Sequence, residues 1–374
     1  MRIDTIQALR AAAALSVVTV HVLNDAIPLD PGGTIAAWHA ALPWESGVDL
    51  FFVISGFIMV HASAGLFGRR GAAWVFLGRR LSRVVPLYWL LTAAFVLVAV
   101  VAGGAVNSVV TGPLQVAASL VFVPWARPDG MVQPVLTLGW TLNYEMLFYA
   151  VFALFIGLPR RAALVGVAAT LLAMVALHPA SIGQTQVPLQ TQVQFWTDPI
   201  ILEFTFGMAV AVVRRRGVTI PMPHRAVLAA AAVALLVVLH AVAPAWPAPL
   251  RAGAPMAVLL AAAALGPDPA WSARVWKPMI WLGDASYALY LVHPFPMRAL
   301  SIVWRQVHLA GLPEAVGYCL ACLASAVVAA GVCHRLLELP ATWLLRHGAR
   351  RREPERISAG AVSLNQPNRP RDGA

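Results

Sequence analysis

Apolar residues run through this chain in blocks of about membrane-spanning length, at 7–27, 47–63, 84–105, 137–157, 161–178, 198–213, 225–243, 253–267, 283–304 and 313–337. A helix needs about 20 such residues to cross a hydrocarbon layer of roughly 30 Å. The pattern therefore predicts an all-α polytopic membrane helical bundle of about ten transmembrane helices, several of them short. The run at 114–124 is too short to span and is expected to be re-entrant or interfacial. The first block resembles a signal peptide in having Arg2 and Arg10 ahead of an apolar core. Asp4, the polar Ser16, Thr19 and His21 inside the core, and the lack of a clean small-x-small cleavage site read instead as a first membrane helix. Residues 1–345 form one membrane domain in this reading. From about Arg346 the chain turns polar and cannot bury a core, so 346–374 is expected to be a disordered cytoplasmic tail. No internal or inverted repeat is visible.

Composition agrees with the blocks. Hydrophobic residues make up 60% and charged residues 11% of the chain, with a mean hydropathy of +0.74, which excludes an ordinary soluble globule. The formal charge of +11 comes almost wholly from arginine, Lys277 being the one lysine. Loops 64–83, 158–161, 214–225 and 267–282 are basic, whereas 28–46 and 179–197 contain no Lys or Arg, and 106–136 and 244–252 have one each. That alternation predicts ten spans with both termini in the cytoplasm. It also accounts for the basic balance without nucleic acid. Cys319, Cys322 and Cys333 share one apolar block and read as small apolar filler.

Several polar groups sit where lipid would penalise them. Arg10 and His21 are eleven residues apart; eleven steps of 100° end about 20° past three turns, so both lie on one helix face, roughly 16 Å apart along the axis. Polar groups at such depth usually face a protein interior or wet cavity and carry function. The plainer alternative is a snorkelling helix-end arginine with a hydrogen-bonded core histidine. Glu145 stands near the middle of its block and needs a partner or a proton. Asp49, Glu203 and Asp284 lie nearer helix starts, where capping is a sufficient structural account. His293 is a second buried imidazole that would hold either a carboxylate or a backbone carbonyl. His178, His240, His308 and His334 are placed at span ends. Arg79 and Arg83, at i and i+4, would present two guanidiniums on one face beside Arg80, suited to phosphate oxygens; a topogenic cluster is the competing reading. Phosphate-loop, dinucleotide and nucleophile-elbow motifs are absent. No ligand cluster calls for a metal.

Five pieces, in order, resemble the acyltransferase-3 family of integral membrane proteins that O-acylate bacterial polysaccharides and lipopolysaccharides. They are Asp4-x5-Arg10-x10-His21, Gly47-Val-Asp-Leu-Phe-Phe-Val-Ile-Ser-Gly-Phe57, Phe76-Leu-x-Arg79-Arg80-x2-Arg83-x2-Pro86-x-Tyr88-Trp89, Trp140-Thr-Leu-x2-Glu145-x2-Phe-Tyr149, and Leu282-Gly-x2-Ser286-Tyr-x-Leu-Tyr-Leu-x-His293. The exopolysaccharide-modifying branch is the most similar. The resemblance implies a bacterial cytoplasmic membrane protein that takes cytosolic acyl-CoA, with acetyl the first candidate, as donor substrate and a carbohydrate hydroxyl as acceptor, without a tightly bound cofactor. It implies Arg10, Arg79, Arg80 and Arg83 as acyl-CoA-binding residues and His21 as general base or acyl relay. Glu145 would orient that imidazole or bind the acceptor hydroxyl, with Asp49, Ser55, Tyr149 and His293 as supporting candidates. The membrane lipid is the remaining partner. Buried charge alone is equally compatible with a secondary transporter using Arg10, His21 and Glu145 as a polar relay, or with a non-catalytic scaffold.

Overall fold

The computed structural model describes residues 2–101, 112–127, 131–179, 188–269, 276–304, 306 and 311–344. All ten apolar blocks are mainly helical over their described residues, and the β structure among the described residues is a single bridge between Ala126 and Val132. Helix α1 (Asp4–Ala26) is followed by the short α2 (Thr34–Ala41), then α3 (Gly47–Ala62) and α4 (Ala72–Val101). After α5 (Pro113–Leu120) come α6 (Trp140–Phe155), α7 (Arg160–Ala176), α8 (Pro188–Trp196) and α9 (Glu203–Arg215). The remainder is α10 (Met222–Val242), α11 (Ala254–Ala264), α12 (Lys277–Asp284), α13 (Ser286–Val292), α14 (Pro294–Trp304) and α15 (Leu312–Cys333). The tail expected over 346–374, and His308, lie outside the described residues.

Seven helices, counted with their flanking turns, are long and apolar enough to cross a membrane among the described residues. The other three predicted spans are shorter: α7 has 17 residues, α11 follows a π turn over 249–253, and 283–304 is interrupted. Pro294 has no amide hydrogen to donate to the preceding turn, so α13 and α14 part there, although His293 itself keeps helical backbone (φ −56°, ψ −31°). Conversely, the expected span 84–105 begins twelve residues earlier. Its basic stretch contains good helix formers, and α4 runs unbroken from Ala72 through the internal Pro86. The run near 114–124 forms only the eight-residue α5.

Helix α1 is the hub, packed against α3, α11, α12, α13 and α15. Its Ala and Val side chains, from Ala11 through Val22, are mostly buried. The first turn is capped from elsewhere in the chain: the Asp268 carboxylate accepts the amides of Asp4 (2.9 Å) and Thr5 (3.2 Å) and the Thr5 hydroxyl (2.9 Å), a good match for the positive end of a helix. Arg225 performs the reverse service for α11. Its guanidinium donates to the carbonyls of Ala262 (2.6 Å), Ala263 (2.8 Å) and Pro267 (2.8 Å), and Arg214 reaches that of Ala264. Two arginines that pass for topogenic charge in the sequence thus satisfy orphan carbonyls at a helix end. Elsewhere, large apolar side chains face outward, as on α10 with Val227, Val233, Val238 and Val242. Such a surface suits lipid and would be a liability in water.

Candidate active site

Two cavities share α1, α4 and the α13–α14 segment, and they are offset along the helix axes. The first has a volume of about 170 Å³ and is lined by Arg10, Arg80, Arg83, Glu145, Ser286 and Tyr290, among others. The second, of about 580 Å³, is lined by His21, Asp25, Arg127, Gln133, His293 and Arg298, with apolar walls. Arg10 and His21 do project from one face of α1 into the protein, but each enters its own cavity.

In the arginine cavity three guanidiniums meet one carboxylate, that of Glu145. Arg83, Glu338, Asp284 and, least of these, Glu145 act on the Arg10 charge, and Arg10 Nη1 donates to Gln7 Oε1 (3.1 Å). Glu145 Oε1 accepts from the Tyr149 hydroxyl and from Ser55 Oγ (3.4 Å). Ser55 and Tyr149 therefore serve this carboxylate directly. Ser286 Oγ is wholly buried and has no hydrogen-bond partner among the described residues. Arg79 is exposed and stays outside the lining. The inner face of α4 is carried by buried Phe76, Val84 and Leu87; Arg79 stands about 80° round the helix from Leu87, whereas Arg83 is only about 40° away. Arg80 and Arg83, at i and i+3, are the pair brought together.

The second cavity belongs to the imidazoles. The rings of His21 and His293 pack with centroids 5.3 Å apart and planes inclined by 33°. His293 Nδ1 donates to the Leu289 carbonyl (3.1 Å). A carbonyl oxygen only accepts, so this bond places the proton on Nδ1 and leaves Nε2 with its lone pair. That Nε2 is buried and has no partner among the described residues. Of the two readings the sequence left open for His293, the carbonyl is the one observed.

Of the two roles expected for Glu145, orienting His21 meets no contact among the described residues, because the two line different cavities. Leu138, which lines the imidazole cavity from the 3-10 turn leading into α6, precedes Glu145 by seven residues, or about 10 Å of helix rise. Between them lies a hydrogen-bonded wall: the Tyr290 hydroxyl bonds to Thr141 Oγ1 (2.9 Å) and to the Leu138 carbonyl (3.1 Å). Tyr290 and Thr141 face the arginine cavity, and Leu138 faces the other. Asp49 lines neither cavity; it is buried beside Glu203, each acting on the other's charge. Asp284 ends α12 and pairs with Arg2 (2.9 Å) rather than opening a helix. His334, expected at an interface, is buried against Glu338 (2.8 Å). Sequence reasoning missed the wall. Tyr290 and Ser286 do fall inside the fifth matching piece, which is the signal that pointed to them.

An acyltransferase-3 family model, described as an acyltransferase domain, matches residues 3–333. The chain is 37% identical over 312 residues to the exopolysaccharide production protein ExoZ of Rhizobium meliloti (strain 1021), covering 82% of this chain and 91% of that protein. It is 26% identical over 371 residues to the acyltransferase MdmB of Streptomyces mycarofaciens, covering 92% and 93% respectively. No solved structure matches. Between the transferase, transporter and scaffold readings, this membership decides: the chain belongs to the acyltransferase-3 family and is a membrane O-acyltransferase.

Proposed function

We propose that the protein moves an acyl group, acetyl first among the candidates, from cytosolic acyl-CoA to a hydroxyl of an exported or cell-surface polysaccharide in the bacterial cytoplasmic membrane. The observation that carries this reading is the separation of a cationic cavity from an imidazole cavity on one set of helices. Similarity to the exopolysaccharide production protein ExoZ supports a glycan acceptor. Arg10, Arg80 and Arg83 suit the phosphates of CoA. At about 170 Å³ the cationic cavity is smaller than the roughly 300–1,000 Å³ of sites that enclose whole ligands. It takes a narrow pantetheine arm, and the nucleotide stays at the mouth, where Arg79 is exposed.

In the chemistry proposed, the acceptor oxygen attacks the thioester carbonyl carbon and a C–O bond forms as the C–S bond breaks. His21 takes the hydroxyl proton, and the CoA thiolate leaves and recovers that proton as free thiol. His293, with Nε2 held as an acceptor, is a positioning residue for the His21 ring. An acyl-histidine at His21 followed by transfer to the hydroxyl gives the same balance. Glu145 belongs to the donor side and sets the arrangement of the guanidiniums.

The test is transfer of labelled acetyl from acetyl-CoA to host surface glycan in membranes carrying wild type or His21→Ala. Label on glycan with wild type alone supports the assignment. Near-normal transfer by His21→Ala rules out His21 as base or relay.

A further inference from the structure

Of the hydroxyl-bearing side chains that line the arginine cavity, all but one are committed. Ser55 and Tyr149 donate to Glu145. Thr141 and Tyr290 bond to each other (2.9 Å), and the Tyr287 hydroxyl donates to the Val84 carbonyl (2.6 Å). The exception is Ser286. Its side chain is fully buried, and its Oγ meets no hydrogen-bond partner among the described residues. Buried helical hydroxyls elsewhere in the chain return to a carbonyl three or four residues back, as Thr141 does to Leu138 (3.1 Å) and Ser119 to Gln115 (2.7 Å). Ser286 forgoes that bond. Leaving a buried donor unpaired costs more than a made bond gains, so a hydroxyl in this state, facing a cavity, is placed for something that enters it.

Position along α13 decides which part of a donor the hydroxyl meets. Ser286, Tyr290 and His293, at i, i+4 and i+7, lie on one face of this helical run. His293 is seven residues, or about 10 Å of rise, beyond Ser286. The Tyr287–Val84 bond sets the Ser286 end beside Arg83 on α4. A thioester that reacts at His21, whose ring packs on His293, holds its sulfur well past Ser286. Counted back from that sulfur, the two amide carbonyl carbons of pantetheine come after four and eight bonds, roughly 5 and 10 Å along an extended chain. The hydroxyl therefore falls among the amides, short of the acyl carbonyl. We propose that Ser286 is a donor-positioning residue, its hydroxyl donating to an amide carbonyl of the pantetheine arm and so fixing how far the thioester reaches toward His21. This rests on the acyl-CoA reading above. Ser286 then selects pantetheine thioesters by their arm, whatever acyl group they carry.

The full chain and its Ser286→Ala variant in zwitterionic nanodiscs, titrated calorimetrically with three probes, test this. S-ethyl-CoA carries the arm without an acyl carbonyl, and acetonyl-CoA adds a carbonyl that cannot be hydrolysed. The third probe is S-ethyl-CoA with its arm amides replaced by methylene groups. Ser286→Ala is expected to weaken S-ethyl-CoA and acetonyl-CoA alike, each about fivefold, the ordinary worth of one neutral hydrogen bond, and to leave the amide-free probe unmoved. Weakening of acetonyl-CoA alone would assign the hydroxyl to the acyl group and overturn the proposal. Equal weakening of all three probes, the mark of a disturbed cavity, overturns it too, as does no change in any, the mark of a hydroxyl served by water. Should Ser286→Ala fail to fold, Ser286→Cys carries the same comparison, because a thiol fills similar space and donates weakly. The two readings fail separately: if wild type binds none of the probes the acyl-CoA reading falls and this one with it, whereas binding that ignores Ser286 overturns the positioning role alone.

Discussion

Glu145 stands about 10 Å of helix rise from Leu138, in the turn before α6 that lines the imidazole cavity, and its carboxylate is already engaged by Tyr149 and Ser55. In the function proposed above its lever is therefore the donor. Glu145→Gln keeps the shape and removes the carboxylate that lines the cavity with Arg10, Arg80 and Arg83, so the KM for acyl-CoA is expected to shift about tenfold, with the KM for acceptor unmoved. Initial-rate kinetics varying each substrate in turn reads this out. A fall in kcat with an unchanged donor KM would instead return Glu145 to the imidazole. The residue scale is also where sequence reading was strongest and weakest at once. Burial and helix phase made Arg10 and His21 visible, because an ionisable group inside an apolar run has few structural uses. The partner of each polar group was not legible, since partners are chosen across helices: Asp49 found Glu203 on α9, and His334 found Glu338.

At the scale of elements, small residues decide how closely helices approach, as is common inside membranes where apolar burial gives no preference for helix over lipid. A side chain at Gly207 on α9 would begin 1.8 Å from the Val53 carbonyl of α3, and one at Gly56 on α3 would begin 2.0 Å from the Phe204 carbonyl of α9. Both obstacles are backbone and cannot swing aside. Gly207→Val is accordingly expected to cost at least the roughly 1–3 kcal/mol of an overpacked core. Thermal aggregation of the detergent-solubilised protein should show a clearly lowered midpoint, whereas Gly157→Ala, at an open position, should not. Helix identity was readable throughout from apolar run length, but boundaries were not. The α4 basic stretch is read by charge as a loop, yet it is helical because its residues favour helix and its inner face packs through Phe76. The break at His293–Pro294 is, by contrast, a local consequence of the amide hydrogen that proline lacks.

Over the whole molecule, the arrangement is two chambers with Tyr290 between them. Tyr290→Phe removes the hydroxyl that ties α13 to Thr141 and Leu138, at the ordinary loss of about 0.5–1.5 kcal/mol per hydrogen bond. With that wall loosened, acyl-CoA hydrolysis measured without any acceptor is expected to rise several-fold over wild type, since in the function proposed above the wall limits how often water in the imidazole cavity meets the thioester. Unchanged or reduced hydrolysis would show that the wall does not limit passage. The sequence alone determined the all-α membrane class, the alternation of charged loops and the identity of the family, because each depends on composition and spacing within single segments. It also marked Arg10, His21, Glu145 and His293 as polar groups inside apolar runs. Only the tertiary structure decided that they divide between two cavities, that Arg80 rather than Arg79 turns inward, that Arg225 caps a helix, and that Arg127 and Arg298 converge on the histidines. Those outcomes depend on how far each helix slides and rotates against its neighbours. That is set by close contacts such as the glycine crossing of α3 and α9, which no single helix encodes.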